Sequence, residues 1–137
     1  MVELGMEKES KSLALAKGLL GKTVKVKIDR KLGEKHPKWG FVYEVNYGFI
    51  EGVMAPDGEE LDCYLLKVDE PVDGYEGVVV AIVHRLEDDD DKLVVVPVGE
   101  SVTDEEIAKK VEFQEKWFRY EIVRQQQKER DWLRYAP

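Results

Sequence analysis

Asp57-Gly58-Glu59-Glu60-Leu61-Asp62 sets four carboxylates in six residues around one glycine. Gly58 permits a tight turn at that place. The run that follows, Leu61 to Leu66, reads as a strand, in which every second side chain shares a face. Glu60 and Asp62 then lie on one face, Leu61 and Cys63 on the other, with Asp57 and Glu59 on the turn beside the first pair. Oxygen donors converging in this way suit a hard cation such as Mg²⁺. Taken alone, such a turn is more simply an acidic hairpin in water. The flanking sequence reverses that reading.

Asn46-Tyr47-Gly48-Phe49-Ile50 precedes the turn by a short spacer, and Asp90-Asp91-Lys92-Leu93-Val94-Val95-Val96-Pro97 follows it. Together these runs resemble the soluble inorganic pyrophosphatases of the Mg²⁺-dependent, OB-barrel type. That family carries an N-Y-G-[YF]-I strand, a D-G-D-x-x-D metal motif, and an acidic hairpin entering a D-x-K-L-hydrophobic-x-V-P strand. The resemblance covers residues 22–122. It implies Asp57 and Asp62 as metal ligands, Asp62 bridging two ions, with Asp90 a further ligand from the hairpin. Glu59 falls on an aspartate close to the attacking water. Lys92 falls on a phosphate-binding lysine, Tyr47 on a tyrosine lining the site, and Tyr43 beside it. The family's other hairpin aspartate meets Arg85 by count, so Glu87 or Asp88 has to serve, and Asp88 is the expected ligand. Arg30 is expected at the substrate, with Lys25, Lys27 and Lys38 as other basic candidates. The implied catalytic group is therefore Glu59, Asp62 and Tyr47, working with two or more Mg²⁺ ions on pyrophosphate or a related small anion. Two departures stand out. Glu59 replaces the usual aspartate, and Trp117-Phe118 stands where the family has a Tyr-Lys pair that binds the electrophilic phosphate.

These residues need a scaffold. Thr23 to Asp29 alternates apolar and polar residues, as a half-exposed strand does. Phe41 to Ile50, Leu61 to Val68, Val78 to Val83 and Leu93 to Val98 supply four more strands with short links. Five such strands predict a mostly β chain, an OB-like closed five-stranded barrel with a C-terminal α-helix. Ser10 to Leu20 predicts a short helix stopped by Gly21. Gly18 to Lys22 lacks the glycine spacing of a P-loop. Thr103 with Glu106 makes a capping box, and the helix it opens is predicted to reach Arg134. Ile107, Val111, Gln114, Phe118 and Ile122 line one face of it, and Phe113, Trp117 and Tyr120 a second. The expected organisation is one domain: a helical extension over 1–21, the barrel over 22–98 and the helix over 103–134. The second stripe predicts either a homo-oligomer or cover by the N-terminal segment.

The chain of 137 residues has net charge −8, unevenly placed. Residues 1–47 carry ten Lys/Arg against six Asp/Glu; residues 48–116 carry six against twenty. An acidic middle repels nucleic acid and anionic membranes and attracts cations. Neither partner is expected. Cys63 is the single cysteine, so no intrachain disulfide forms, which fits a cytoplasmic protein. The leading reading is Mg²⁺-dependent hydrolysis of pyrophosphate. The alternatives are hydrolysis of another phosphoanhydride, tripolyphosphate or nucleotide, and a non-catalytic barrel that binds metal or nucleotide.

Overall fold

Alternation along each strand decides which side chains face inward. In the computed structural model, which describes residues 10–88 and 90–125, β1 (Thr23–Arg30) turns Val24, Val26 and Ile28 inward and leaves Thr23, Lys25 and Lys27 outside. β2 (Asn46–Met54), β3 (Glu60–Leu65), β4 (Gly74–Arg85) and β5 (Asp91–Val96) complete a ring in the order β1-β2-β3-β5-β4. Pairing of β4 with β1 closes it. β3 and β5 run parallel and their neighbours antiparallel, so the barrel is mixed. The expected closed five-stranded barrel is what the chain forms.

Two apolar layers result. Leu61, Cys63 and Leu65 of β3 and Leu93 and Val95 of β5 pack in the barrel with the inward residues of β1. Tyr64, Leu66, Val94 and Val96 point the opposite way, into a layer beneath α2 (Asp104–Glu115). β4 serves both layers through a bulge. Its pairing with β5 slips between Val79 and Ala81, so Val79 faces the barrel while Ala81 joins the outer layer. One extra residue inverts the alternation of everything after it. Cys63 lies wholly inside, and burial pushes its thiol pKa well up, which leaves it inert.

α1 (Lys11–Leu19) is capped by Ser10, whose Oγ accepts from Leu13 N at 3.0 Å. Leu13, Ala16 and Leu20 fix it to the barrel core. The N-terminal segment therefore covers the barrel, not the second stripe of α2. That stripe is partly covered from elsewhere in the chain: Phe113 is buried against Phe41, Tyr43 and Tyr64. Trp117 stays 60% exposed, so the argument for a homo-oligomer narrows to this one side chain.

The helix itself is shorter than its pattern suggests. It starts with the expected capping box but ends at Glu115, not Arg134. A turn follows, in which Phe118 N donates to Glu115 O and Leu86 N to Arg119 O. The chain then forms β6 (Tyr120–Val123), paired with Arg85–Ile82 of β4. β1 covers only the first part of the twelve-residue β4, and the distal edge needs a partner for its backbone groups. Residues 126–134 of the expected helix lie outside the described residues.

Glu115 explains why the helix stops where it does. Its carboxylate is fully buried and receives Arg85 Nε at 2.9 Å, Arg85 Nη2 at 3.1 Å and the Tyr64 hydroxyl at 2.6 Å. Gln114 Nε2 donates to the same hydroxyl at 2.8 Å. Burial works against the Arg85 charge, but the hydrogen bonds and charge of Glu115 outweigh it and hold the guanidinium above its ordinary range. Arg85 also lies 3.7 Å above the ring of Phe118. The end of α2, β3 and β4 are thus joined at one ionic knot.

Three outcomes are expected. Removing one member of the buried pair is costly because the other charge is stranded, so Arg85→Met should cost ~3–5 kcal/mol by urea denaturation. Arg85→Met with Glu115→Leu should lose less than the two single changes added, and additivity within ~0.5 kcal/mol would show that the pair is not coupled.

Glycines give a second contrast. A Cβ at Gly48 would sit 1.8 Å from Lys27 O, so Gly48→Ala should prevent folding, since backbone cannot give way that far. Gly18, inside α1, has nothing within 4 Å, and Gly18→Ala should stabilise by up to ~1 kcal/mol.

The third outcome concerns pH. Burial, then the charge of Asp62, pushes the Tyr47 hydroxyl well above its usual pKa; burial, then Glu115, does the same to Tyr64. Unfolded phenols ionise near pH ~10, so above that pH the folded state holds more protons than the unfolded one. Their contribution is intact below pH ~10 and is lost as pH rises through the folded values. Tm should therefore fall above pH ~10, less steeply in Tyr64→Phe.

Candidate active site

Outward parity places Tyr47 of β2, Asp62 of β3, Lys92 of β5 and Arg85 of β4 on one side of four adjacent strands. Each element has its own reason to hold them there. Asn46, fully buried, accepts from Leu32 N at 3.0 Å and Val72 N at 3.3 Å and donates to Glu70 O at 2.9 Å. It ties two loops to the start of β2 and so fixes Tyr47 next to it. Gly48 lets β2 cross β1 closely. Of the Asn-Tyr-Gly run, then, the first and third residues shape the backbone and the second reaches the site.

Asp62 and Lys92 form the centre. Asp62 Oδ2 accepts from the Tyr47 hydroxyl at 3.0 Å and from Lys92 Nζ at 3.3 Å. The same ammonium, whose side chain is only 3% exposed, donates to Asp90 Oδ1 at 3.2 Å. Asp90 Oδ2 accepts from Arg85 Nη1 at 3.1 Å, and Asp88 Oδ2 lies 3.6 Å from that nitrogen. Two cations therefore alternate with two carboxylates across the sheet.

Two cavities meet at Asp62 and Asp90. The first, of about 560 Å³, is acidic. Asp57, Glu59 and Glu60 enter it from the β2–β3 turn, and Asp88, Asp90 and Asp91 from the hairpin between β4 and β5. The turn is shaped as expected: Gly58 has φ +87°, and Asp57 Oδ1 accepts from Glu59 N at 2.9 Å. The second cavity, of about 860 Å³, holds Tyr47, Arg85 and Lys92 at one end. His36, Trp39, Phe41, Trp117 and Phe118 line it too, with Gly40, Gln114 and Lys116.

The side chains of the acidic cleft offer oxygen ligands, the type that Mg²⁺, a hard cation, takes. Asp91 Oδ1 pairs with His84 Nδ1, but Asp91 Oδ2 is buried with no hydrogen-bond partner among the described residues. A buried carboxylate oxygen without a donor is costly, and a bound cation would answer it. The carboxylates are not yet gathered: among the described residues no three His, Cys, Asp or Glu side chains are grouped to hold one ion. The donors fit by type and share one cleft.

The sequence-derived set divides accordingly. Tyr47, Asp62, Asp90 and Lys92 meet at one point, and Asp57, Glu59 and Asp88 line the acidic cleft with Asp62 and Asp90. Tyr43 is 3% exposed, stacked against His36 and Tyr47 behind the site. Arg30 pairs with Glu34 at 3.2 Å and belongs to neither cavity wall. Sequence reasoning missed Glu115 and gave His36 no role. Glu115 had a signal: it continues the Ile107–Val111 spacing, so a charge falls on the buried stripe. His36 had none, because its place depends on a loop. Its Nδ1 accepts from Lys38 N and Trp39 N, both at 3.0 Å, and so sets the turn that carries Trp39.

No helix among the described residues is long and apolar enough to cross a membrane. Comparison with known proteins places this geometry. The barrel resembles solved inorganic pyrophosphatases from Helicobacter pylori (TM-score 0.59, 15% identity, 83% of this chain and 91% of that one) and Ehrlichia chaffeensis (0.57, 18%, 74% and 85%). It also resembles the enzyme from Thermus thermophilus (0.52, 20%, 82% and 87%). At such identities the likeness establishes a shared fold. No curated protein matches significantly by sequence. The family model for inorganic pyrophosphatase matches residues 18–132, most of the chain, and the chain belongs to the inorganic pyrophosphatase family.

Proposed function

We propose that this chain hydrolyses pyrophosphate with Mg²⁺. The observation that carries the reading is the shared wall. Asp62 and Asp90 face an acidic cleft suited to cations on one side and a cleft with Lys92 and Arg85 on the other. A phosphoanhydride needs both, since its transfer rests on charge neutralisation and positioning. Asp57, Asp62, Asp88 and Asp90 would hold the ions. Bound there, two or more Mg²⁺ would supply a water of lowered pKa and offset the charge on the phosphoryl oxygens.

The chain's own residues do the rest. Lys92 binds the anion: its ammonium is already desolvated and held by two carboxylates, so it is set to bind a phosphate oxygen when those carboxylates turn to cations. Tyr47 holds Asp62 in orientation through its hydroxyl, which stays protonated because burial and then the Asp62 charge raise its pKa. Glu59, on the exposed turn, takes the proton of the attacking water. The water oxygen bonds to phosphorus, the bridging P–O bond breaks, and two phosphates and one proton leave. Arg30 and Tyr43 lie outside the two cavity walls, and Tyr43 supports the ring of Tyr47 at 5.7 Å between centroids.

Phosphate release from pyrophosphate with Mg²⁺ tests the reading. Asp62→Asn should lower kcat by a factor of about 100 or more, because an amide is an uncharged, poorer ligand. Circular dichroism should show the fold retained. Lys92→Ala should raise KM by about 10- to 100-fold through loss of a charged hydrogen bond. Wild-type turnover in Asp62→Asn would refute the assignment.

A further inference from the structure

The larger cavity is too large and too aromatic for a diphosphate alone. Its volume of about 860 Å³ lies within the range of sites for organic ligands, roughly 300–1,000 Å³. Its polar lining comes from Tyr47, Asp62, Arg85, Asp90 and Lys92, with Gln114 and Lys116. Beside Gly40, the other lining residues are the rings of His36, Trp39, Phe41, Trp117 and Phe118, among them the two most exposed aromatic side chains described, Trp39 at 67% and Trp117 at 60%. Exposed indoles gathered in a cleft, not scattered, mark a binding surface.

Both indoles are presented by built structure. Trp39 sits in a turn whose backbone is held by His36 Nδ1 and by Gly40 N donating to His36 O at 3.0 Å. The Trp117 ring packs against Phe41, centroids 5.8 Å apart, and Phe41 in turn against His36 at 4.9 Å. A cation stands over each indole: Lys38 Nζ is 4.8 Å from the Trp39 centroid, and Lys116 Nζ 4.8 Å from that of Trp117. Contacts of that kind at exposed sites are weaker than base–indole stacking. A flat heterocycle can therefore displace the ammonium groups from the indole faces.

We propose that this cleft takes a nucleoside triphosphate, its base against the Trp39–Trp117 wall and its terminal phosphate at Lys92. The proposal rests on the reading of the Asp62–Asp90 wall as a phosphoanhydride site, and it names the substrate class. The terminal phosphoryl group is furthest from the base and so faces the acidic cleft. Hydrolysis there consumes one water and yields a nucleoside diphosphate, phosphate and one proton. A single nucleotide fits and a polymer does not, because the neighbouring acidic cleft repels a further run of phosphates.

The test compares ATP and GTP with tripolyphosphate, a similar anion without a ring, all with Mg²⁺. The nucleotides should quench indole fluorescence saturably and tripolyphosphate should not, with the quenching largely lost in Trp117→Leu. In that variant the kcat/KM for ATP relative to tripolyphosphate should fall about fivefold or more. Quenching by tripolyphosphate equal to that by ATP, or a ratio that Trp117→Leu leaves unchanged, overturns the proposal. Cleavage of pyrophosphate without any response to nucleotides overturns it too, while the hydrolase reading stands. Nucleotide-specific quenching without cleavage of any anhydride has the opposite meaning: the ring site stands and the hydrolase reading falls. Should Trp117→Leu fail to fold by circular dichroism, Trp39→Leu and the wild-type quenching decide the matter.

Discussion

The buried pair of Arg85 and Glu115 is the constraint on which the rest of the site depends. A fully enclosed carboxylate is tolerable only with a cation and further donors around it. Arg85 and Tyr64 meet that need, and in doing so they dictate where α2 ends, how β6 reaches β4, and which way Asp90 points. Asp90 takes the remaining Arg85 donor on one oxygen and Lys92 on the other. The orientation of a candidate metal ligand is thus set by an ionic contact on the far side of the guanidinium. Loss of that contact would act on both the helix and the hairpin.

A second consequence is the separation of charge between the two cavities. Asp62 and Asp90 have their charges answered by Lys92 and Arg85 from one side, while Asp57, Glu59, Glu60 and Asp91 crowd the other. The acids repel one another, and Asp91, paired with His84 through one oxygen, leaves the other buried without a hydrogen-bond partner among the described residues. Lys92 is therefore shared between two roles that exclude each other, neutralising the wall and binding an anion. A cation in the acidic cleft favours the second role. Electrostatics of this kind links the order in which cation and anion bind, with no movement of the barrel required.

Much of this was legible in the residues, and the unread parts share a cause. The strands announced themselves by alternation, and the site motifs sat on strand ends where their spacing could be counted. The bulge between Val79 and Ala81 could not be seen, because a continuous apolar run carries no phase. Nor could the end of α2: Trp117, Phe118, Tyr120 and Ile122 extend a helical pattern, and only the open edge of β4 turns the last of them into a strand. Glu115 could have been found by following the Ile107–Val111 spacing one step further. His36 could not, since its function is to fix the loop that presents Trp39. Arg30 was expected at the substrate as a candidate for the family's strand arginine; it pairs with Glu34 and lines neither cavity.

The departures from the family pattern are also joined to one another. By count Arg85 meets the place of the family's second hairpin aspartate, whose part Glu87 or Asp88 has to take, and Phe118 falls within the dipeptide at the place of the family's Tyr-Lys pair. These two residues are in contact, the guanidinium 3.7 Å from the ring. A lysine in place of Phe118, in the turn after α2, would set two cations together beside Arg85, at a cost that grows as the local dielectric falls. A phenyl face instead attracts the guanidinium. The carboxylate that Arg85 requires comes from Glu115, buried at the end of α2 on the same outward face of the sheet. The aromatic surface that Phe118 adds to the cleft is thus supported by the Arg85–Glu115 ion pair behind it, so the knot that ends α2 also shapes the wall of the larger cavity.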